Sequence, residues 1–269
     1  MNYIYDVLIP ARSGSKGIPH KNIKSFRNKP LLFHSIDHVL TFSKIRYIVI
    51  SSDSEDYLNL VKSHYECSSL FENKDTKIKT LLRPSVLAED LTNDLEVFRH
   101  YLNILKVCQI IFPTDILHLR PTYPNRKEEY LTSLFQLWEM FRNSYDSCRS
   151  VIPIDILPIK TYYIKKQNLE ECVSNNNFCS TSYELIPYFK GWLDENKNFV
   201  IKEPFNEARQ NFPFQSYQHN GCYDLIKTEI IWNKNSMSGD HILPFEMKEE
   251  NLDIDTKEDF EKNEKIFIH

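Results

Sequence analysis

Through roughly its first 150 residues the chain alternates short apolar runs with amphipathic helical stretches, and this rhythm limits its possible folds more than any other feature. Tyr3–Ile9 reads as a buried strand, followed by a helix opening at Pro30 with Leu32, Ile36, Val39 and Leu40 on one face. Arg46–Ser51 is a second strand, and Ser54 caps a helix carrying Leu58, Val61 and Tyr65. Ile78–Leu82 is a third. Thr92 is expected to cap the next helix, which buries Leu95, Phe98, Tyr101, Leu102 and Leu105. Ile116–Leu119 and Ser150–Ile154 are further strands, separated by a helix with Tyr130, Leu134, Leu137, Trp138 and Phe141 on its core face. Parallel neighbours need a crossover helix, so this order predicts an α/β fold: a mostly parallel sheet sandwiched by helices, of Rossmann type.

The rhythm fails after about residue 155. Residues 160–210 mix Tyr, Phe, Lys and an Asn175-Asn176-Asn177 run without steady periodicity, yet they are too aromatic for a disordered loop. The expected organisation is a core of residues 1–154 and 211–269 with an inserted subdomain, or dimerisation arm, at 155–210. Regular structure resumes at Gly221–Ile226. The chain closes with Asp253-Ile254-Asp255, a cap at Thr256 and a helix to about Ile266.

Glycine is scarce, with five in 269 residues, against an average of ~7%. Two of them, Gly14 and Gly17, fall in the loop leaving the first strand. A glycine-bearing turn after a strand lets backbone N–H groups approach an anion, and Arg12, Lys16 and Lys21 add positive charge. The loop reads as a polyphosphate cradle; a solvated basic turn is the blander reading. A formal net charge of −4 argues against a nucleic-acid binder. No apolar run is long enough to span a membrane, and the first residues show no signal-peptide pattern. The six cysteines and nine histidines show no metal-ligand spacing, which suggests reduced thiols in a cytoplasmic protein.

The loop lacks the GxxxxGK[ST] of a P-loop and the third glycine of a dinucleotide fingerprint. Asp253 and Asp255, two apart on a supposed strand, would point to one face and could share a hard cation. Capping of the last helix is the alternative for Asp255 and Thr256. Together, a basic phosphate loop and a carboxylate pair for Mg²⁺ are the equipment of nucleotidyl transfer.

Pro10–Asn22 resembles the signature loop of the acylneuraminate cytidylyltransferases, the CMP-sialic acid synthetases. The resemblance continues in order through Lys29-Pro30-Leu31, Ile50–Asp53, Arg83-Pro84 with Leu87–Asp90, Arg120–Arg126, Pro158-Ile159-Lys160, Arg209-Gln210, Asn220-Gly221 and Asp253–Thr256. It implies a nucleotidyltransferase α/β fold of GT-A-like type that dimerises through its inserted arm. It also implies transfer of CMP from CTP to an acidic nine-carbon α-keto sugar. In that scheme Arg12, Ser13, Gly14, Ser15, Lys16 and Lys21 hold the phosphates, Asn22 meets the ribose and Arg83 the cytosine. Arg120, Thr122, Lys160, Arg209, Gln210 and Asn220 face the sugar, Asp253 and Asp255 bind Mg²⁺, and Arg12, Lys16, Lys21 and Asp255 carry the catalysis.

Two departures bear on the acceptor. Arg120 stands where the family usually has Gln, and Gln218 or His219 stands where a basic residue usually precedes Asn-Gly. Legionaminate, pseudaminate and Kdo therefore remain alternative acceptors, as does a non-catalytic nucleotide-binding homologue. No side chain stands out as general base. Asp53 reads as a turn residue, His20 and His219 as bystanders, and Cys222 lacks a partner for nucleophilic chemistry.

Overall fold

The computed structural model describes residues 3–72, 74–156, 161–167, 182–187, 192–193, 199–201, 206, 208, 210, 215–248 and 252–266. The chain divides into two compact units, residues 1–152 with 219–269, and residues 153–218.

The first unit begins with β1 (Tyr5–Pro10), a ribbon of β2 (Ser25–Phe26) and β3 (Lys29–Pro30), and α1 (Leu31–Leu40). It continues through β4 (Ile45–Ser52), α2 (Glu55–His64), β5 (Cys67–Ser69), β6 (Ile78–Leu82), α3 (Asp94–Val107), β7 (Asp115–His118), α4 (Glu128–Phe141) and β8 (Ser147–Ile154). The second unit contains two antiparallel pairs, β9 (Tyr162–Gln167) with β10 (Ser182–Pro187), and β11 (Trp192–Leu193) with β12 (Phe199–Ile201). Then come β13 (Ser216–Lys227), α5 (Thr228–Asn233), β14 (Ile242–Glu246) and α6 (Lys257–Glu264).

Eight strands form one sheet in the order β14-β8-β13-β7-β1-β4-β6-β5. β7, β1, β4, β6 and β5 run parallel, β13 is antiparallel to β7, and β14 is parallel to β8. The mostly parallel sheet inferred from the alternating pattern is therefore present. Side chains alternate across it. Val7, Ile9, Ile48 and Ile50 pack with Leu32, Phe33 and Ile36 of α1 and with Leu134, Phe135 and Trp138 of α4. Leu8, Val49, Leu81 and Ile116 belong to the opposite cluster, with Phe98, Tyr101 and Leu102 of α3 and Ile230 and Ile231 of α5. Helices thus cover both faces.

From β1 the chain winds outward through β4 and β6, then returns to place β7 on the other side of β1. At such a reversal the loops leaving the carboxyl ends of the two central strands diverge, and a crevice opens between them. A third, small core of Ile18, Phe26, Leu31, Ile254 and Phe260 fastens the loop after β1 to the segment before α6.

Two local expectations change. Asn93, one residue beyond Thr92, caps α3 by accepting from the Glu96 N–H at 3.0 Å, whereas the Thr92 hydroxyl donates to the Val86 carbonyl at 2.8 Å. Residues 253–255 form no strand, so the alternation invoked for their two carboxylates does not hold. Asp253 is half-buried, Ile254 buried and Asp255 exposed. Among the described residues no helix is long and apolar enough to cross a membrane.

Candidate active site

A cavity of about 400 Å³ opens at the carboxyl ends of β1, β6 and β7. The loop after β1 contributes Arg12, Ser15, Lys16, Gly17, Lys21 and Asn22 to its wall. The stretch after β6 contributes Arg83, Asp90 and Asp94; β7 and its exit contribute His118, Arg120 and Thr122; Asp255 closes the ring.

The loop after β1 is braced from within and from α2. The Asn22 amide donates to the Arg12 carbonyl at 2.9 Å. Ser13 donates to Asp53 twice, from its N–H at 2.9 Å and its hydroxyl at 2.6 Å. Burial pushes the Asp53 carboxyl up, but these hydrogen bonds hold it below the usual carboxylate range. His20 sits in the left-handed region, φ 52°, with Nδ1 3.1 Å from the Tyr57 hydroxyl, which in turn donates to the Ser13 carbonyl at 3.5 Å. Asp53 and His20, read from sequence as a turn residue and a bystander, are loop supports.

The cations fall into three states. Lys21 Nζ donates to the Ile254 carbonyl at 2.7 Å and lies 3.4 Å from Asp255 Oδ1, joining the phosphate loop to the acidic segment. Arg12 and Lys16 share one carboxylate: Asp90 receives them at 3.0 and 2.6 Å. Arg83 is 4% exposed, and neither its Nε nor its Nη1 has a hydrogen-bond partner among the described residues. Burial lowers its pKa. Asp53 and Asp94 face its charge, and the two N–H-bearing nitrogens left without a hydrogen bond among the described residues suit an incoming acceptor atom.

Gly17 explains how loop and acidic segment come so close: a Cβ there would stand 2.6 Å from the Asp255 carbonyl oxygen. Gly14 differs, with no atom within 4 Å of the corresponding position.

A charged network lies under the β7 side of the cavity. Asp224, 1% exposed, accepts from Arg120 Nη1 at 2.7 Å and lies 2.8 Å from His219 Nε2 and 3.4 Å from Arg149 Nε. Burial opposes its charge, but the His219 hydrogen bond and the Arg120 charge hold its pKa far below the usual range. Arg120 Nη2 lies 3.3 Å from Asp94 Oδ2. His118 Nδ1 stands 3.8 Å from both Asp94 and Asp224, and burial together with Arg120 lowers its pKa to about 4, leaving it neutral at pH 7. The extra cation at 120 therefore has two protein counter-ions of its own, and His219 is part of the network.

The acidic segment is held by the Ile254 N–H, which donates to the Thr122 carbonyl at 2.8 Å. Burial raises the Asp253 carboxyl, with the charge of Asp255 adding to the rise and a Thr122 hydrogen bond opposing it. Asp255 stands exposed at the cavity wall, 3.4 Å from Lys21, while Asp253 does not line the cavity; the oxygens of an exposed carboxylate are of the kind that a hard divalent cation takes together with phosphate and water. Among the described residues no group of three or more His, Cys, Asp or Glu could hold a metal alone.

The cavity thus gathers Arg12, Ser15, Lys16, Lys21, Asn22, Arg83, Arg120, Thr122 and Asp255 from the expected set. The Ser13 hydroxyl is committed to Asp53, and Gly14 lines an adjoining recess. Asn220, expected at the sugar, is 2% exposed and turned inward: Oδ1 accepts from the Ser150 hydroxyl at 2.6 Å and the Cys222 N–H at 3.1 Å. Lys160 and Arg209 lie outside the described residues, and Gln210 is exposed in the second unit. Sequence reasoning missed Asp94, His118 and Asp224. A lone Asp inside the apolar run Cys222–Ile226 was the available signal, since such a carboxylate is almost never buried without a partner.

Sheet order and cavity define an α/β protein with a charged cleft, lined by lysine, arginine and carboxylate side chains, at the carboxyl ends of its parallel strands. A family model described as Cytidylyltransferase matches residues 7–266, and the chain belongs to that family. It is 26% identical over 262 residues to the N-acylneuraminate cytidylyltransferase of Escherichia coli O18:K1:H7, across 94% of this chain and 50% of that protein. The chain thus spans about half that relative's length. A pseudaminic acid cytidylyltransferase of Campylobacter jejuni serotype O:2 is 24% identical over 206 residues, across 72% of this chain and 82% of that one. Among solved structures, CMP:2-keto-3-deoxy-manno-octonic acid synthetase complexed with CTP matches with a TM-score of 0.61 over 97% of this chain and 96% of that one. At 12% identity this likeness concerns the fold.

Proposed function

We propose that the chain transfers CMP from CTP to the anomeric hydroxyl of an acidic sugar of the sialic acid type, releasing pyrophosphate, with Mg²⁺ as cofactor. The observation that carries this reading is the meeting of Arg12, Lys16, Lys21 and the buried Arg83, whose Nε and Nη1 have no hydrogen bond among the described residues, with Asp255 around one cavity. Membership in the cytidylyltransferase family supports CTP as donor.

The acceptor hydroxyl oxygen attacks the α-phosphorus in line, the bond from that phosphorus to the oxygen bridging to the β-phosphorus breaks, and the hydroxyl proton leaves to solvent. Arg12 and Lys16 neutralise charge accumulating on the departing pyrophosphate. Lys21 holds the loop to the acidic segment, so that donor phosphates and cation site stay in register. Arg83 offers its free N–H groups to the nucleoside. A divalent cation on Asp253 and Asp255 would withdraw charge from the phosphate oxygens.

Pyrophosphate release with CTP, Mg²⁺ and a panel of N-acetylneuraminate, pseudaminate, N,N'-diacetyllegionaminate and Kdo tests the reading; silence with all four sinks it. Asp255→Ala should abolish turnover with an unchanged melting temperature, because the side chain is 78% exposed. Retained turnover would refute the cation role. The second unit, residues 153–218, we assign to dimerisation on the strength of the resemblance. Sedimentation at twice the monomer mass is expected, and a monomer at micromolar concentration would overturn it.

A further inference from the structure

We infer that Arg126, which does not line the cavity, is a positioning residue: it fixes the turn after β7, and through that turn it sets Arg120 and Thr122 in the cavity wall and holds the acidic segment of Asp255 in register. The kinetic part of this inference rests on the cytidylyltransferase reading above.

Arg126 is 6% exposed. Among the described residues its guanidinium pairs with no carboxylate and donates instead to three neutral acceptors. Nε reaches the Cys222 carbonyl at 3.2 Å, Nη1 the Ser35 hydroxyl at 2.9 Å and Nη2 the Arg120 carbonyl at 2.9 Å. Its Cζ lies 5.6 and 5.7 Å from the ring centres of Tyr123 and Tyr223. Taking a charge out of water with no counter-ion opposes folding, and an apolar side chain of similar volume often serves stability as well. What an apolar residue lacks is the planar fork, which here joins three elements at once: α1, the turn after β7, and β13.

The bonds converge on one carbonyl. That of Arg120 accepts from Arg126 Nη2, from the Ser35 hydroxyl at 3.3 Å and from the Tyr123 N–H at 3.2 Å. The same turn carries the acidic segment and its helix at two points. The Thr122 carbonyl accepts from the Ile254 N–H at 2.8 Å, and the buried Asn125 amide donates to the Asn263 carbonyl at 3.1 Å and to its Oδ1 at 2.9 Å. The bond to Cys222 ties the turn to β13 beside Gly221, where a Cβ would stand 3.5 Å from Arg120 Cδ. A turn that slipped would move Arg120, Thr122 and Asp255 together. Arg12 and Lys16 would stay, because Asp53 and Asn22 brace their loop separately.

The test compares wild type with Arg126→Met and Ser35→Ala by steady-state kinetics with CTP and the four acids and, independently of activity, by hydrogen exchange read by mass spectrometry. Arg126→Met removes the fork at similar volume, and Ser35→Ala removes one donor to the Arg120 carbonyl. For Arg126→Met, kcat per folded molecule should fall about tenfold to a hundredfold through misplacement alone, with the CTP KM moving less than about threefold. The peptide containing Ile254 should exchange faster in both variants, about tenfold for Arg126→Met, while β1 and β4 exchange as in wild type. A merely structural residue would cost folded protein and leave kcat per folded molecule unchanged, and that outcome overturns the inference. So does exchange in β1 and β4 accelerated as much as at Ile254, or a CTP KM raised as far as kcat falls, since either marks general damage. If Arg126→Met does not fold, Ser35→Ala decides: faster exchange confined to the Ile254 peptide supports the inference, and wild-type exchange there overturns it. If wild type turns over none of the acids, the parent reading fails, and the exchange result alone decides on Arg126.

Discussion

Gly17 and Gly14 stand three residues apart in one loop and face opposite constraints. At Gly17 a methyl group would meet the Asp255 backbone oxygen at 2.6 Å, an atom that cannot rotate away. Gly17→Ala should therefore push the loop off the acidic segment, lower stability by about 1–3 kcal/mol and weaken Mg²⁺-CTP binding. Gly14→Ala meets nothing within 4 Å, and its φ is not positive, so stability should stay within about 0.5 kcal/mol of wild type. Chemical denaturation of both variants checks the contrast; equal losses would refute it. Histidines give a second prediction at this scale. Burial lowers His118 to about 4 and, aided by Arg126, His38 to about 3. The unfolded imidazole takes its proton near 6.5, so below that pH the unfolded chain holds more protons and stability falls with acidification. Each histidine should remove roughly 2 kcal/mol by pH 5. A melting temperature flat between pH 7 and pH 5 would contradict this.

At the scale of elements, the stretch after β6 reaches back over the phosphate loop through Asp90. That carboxylate lies on Arg12 and Lys16, the pair assigned to the triphosphate. Asp90→Asn should free both cations and tighten CTP binding by about threefold to tenfold, with the gain shrinking as salt rises; weaker binding would show that Asp90 assists the nucleotide. The loop itself was legible in the sequence because its chemistry is contiguous: cations, small residues and glycines follow one strand. Asp94, the pair His118 and Arg120, and Asp224 come from three separate places in the chain, and nothing local says that they meet. The cap at α3 was misread by one residue because Thr92 and Asn93 can both cap. β14 escaped notice because Pro244 interrupts its apolar pattern, which an edge strand tolerates.

The whole sheet places the site. Helix and strand periodicity was enough to foresee parallel strands with helices on both faces, because burial on two faces leaves a continuous apolar signature. The reversal between β1 and β7, which opens the crevice, depends on strand order and left no mark that periodicity could show. Since the cavity wall draws on residues from Pro10 to Asp255, a ligand that binds there binds the folded chain alone. CTP at about a hundred times its Kd should raise stability by roughly 2.7 kcal/mol. A melting curve insensitive to CTP would place the nucleotide elsewhere.

The close approach of Gly17 to Asp255 has a consequence in time. Residue 17 leaves the ribosome long before residue 255, and the small core containing Ile18, Ile254 and Phe260 forms after the last of them emerges. A nascent chain can lay β1 beside β4 and β7 much earlier, with all its phosphate-loop cations in place and no acidic segment to meet them. Every strand of the sheet is thus made before the segment that closes the site.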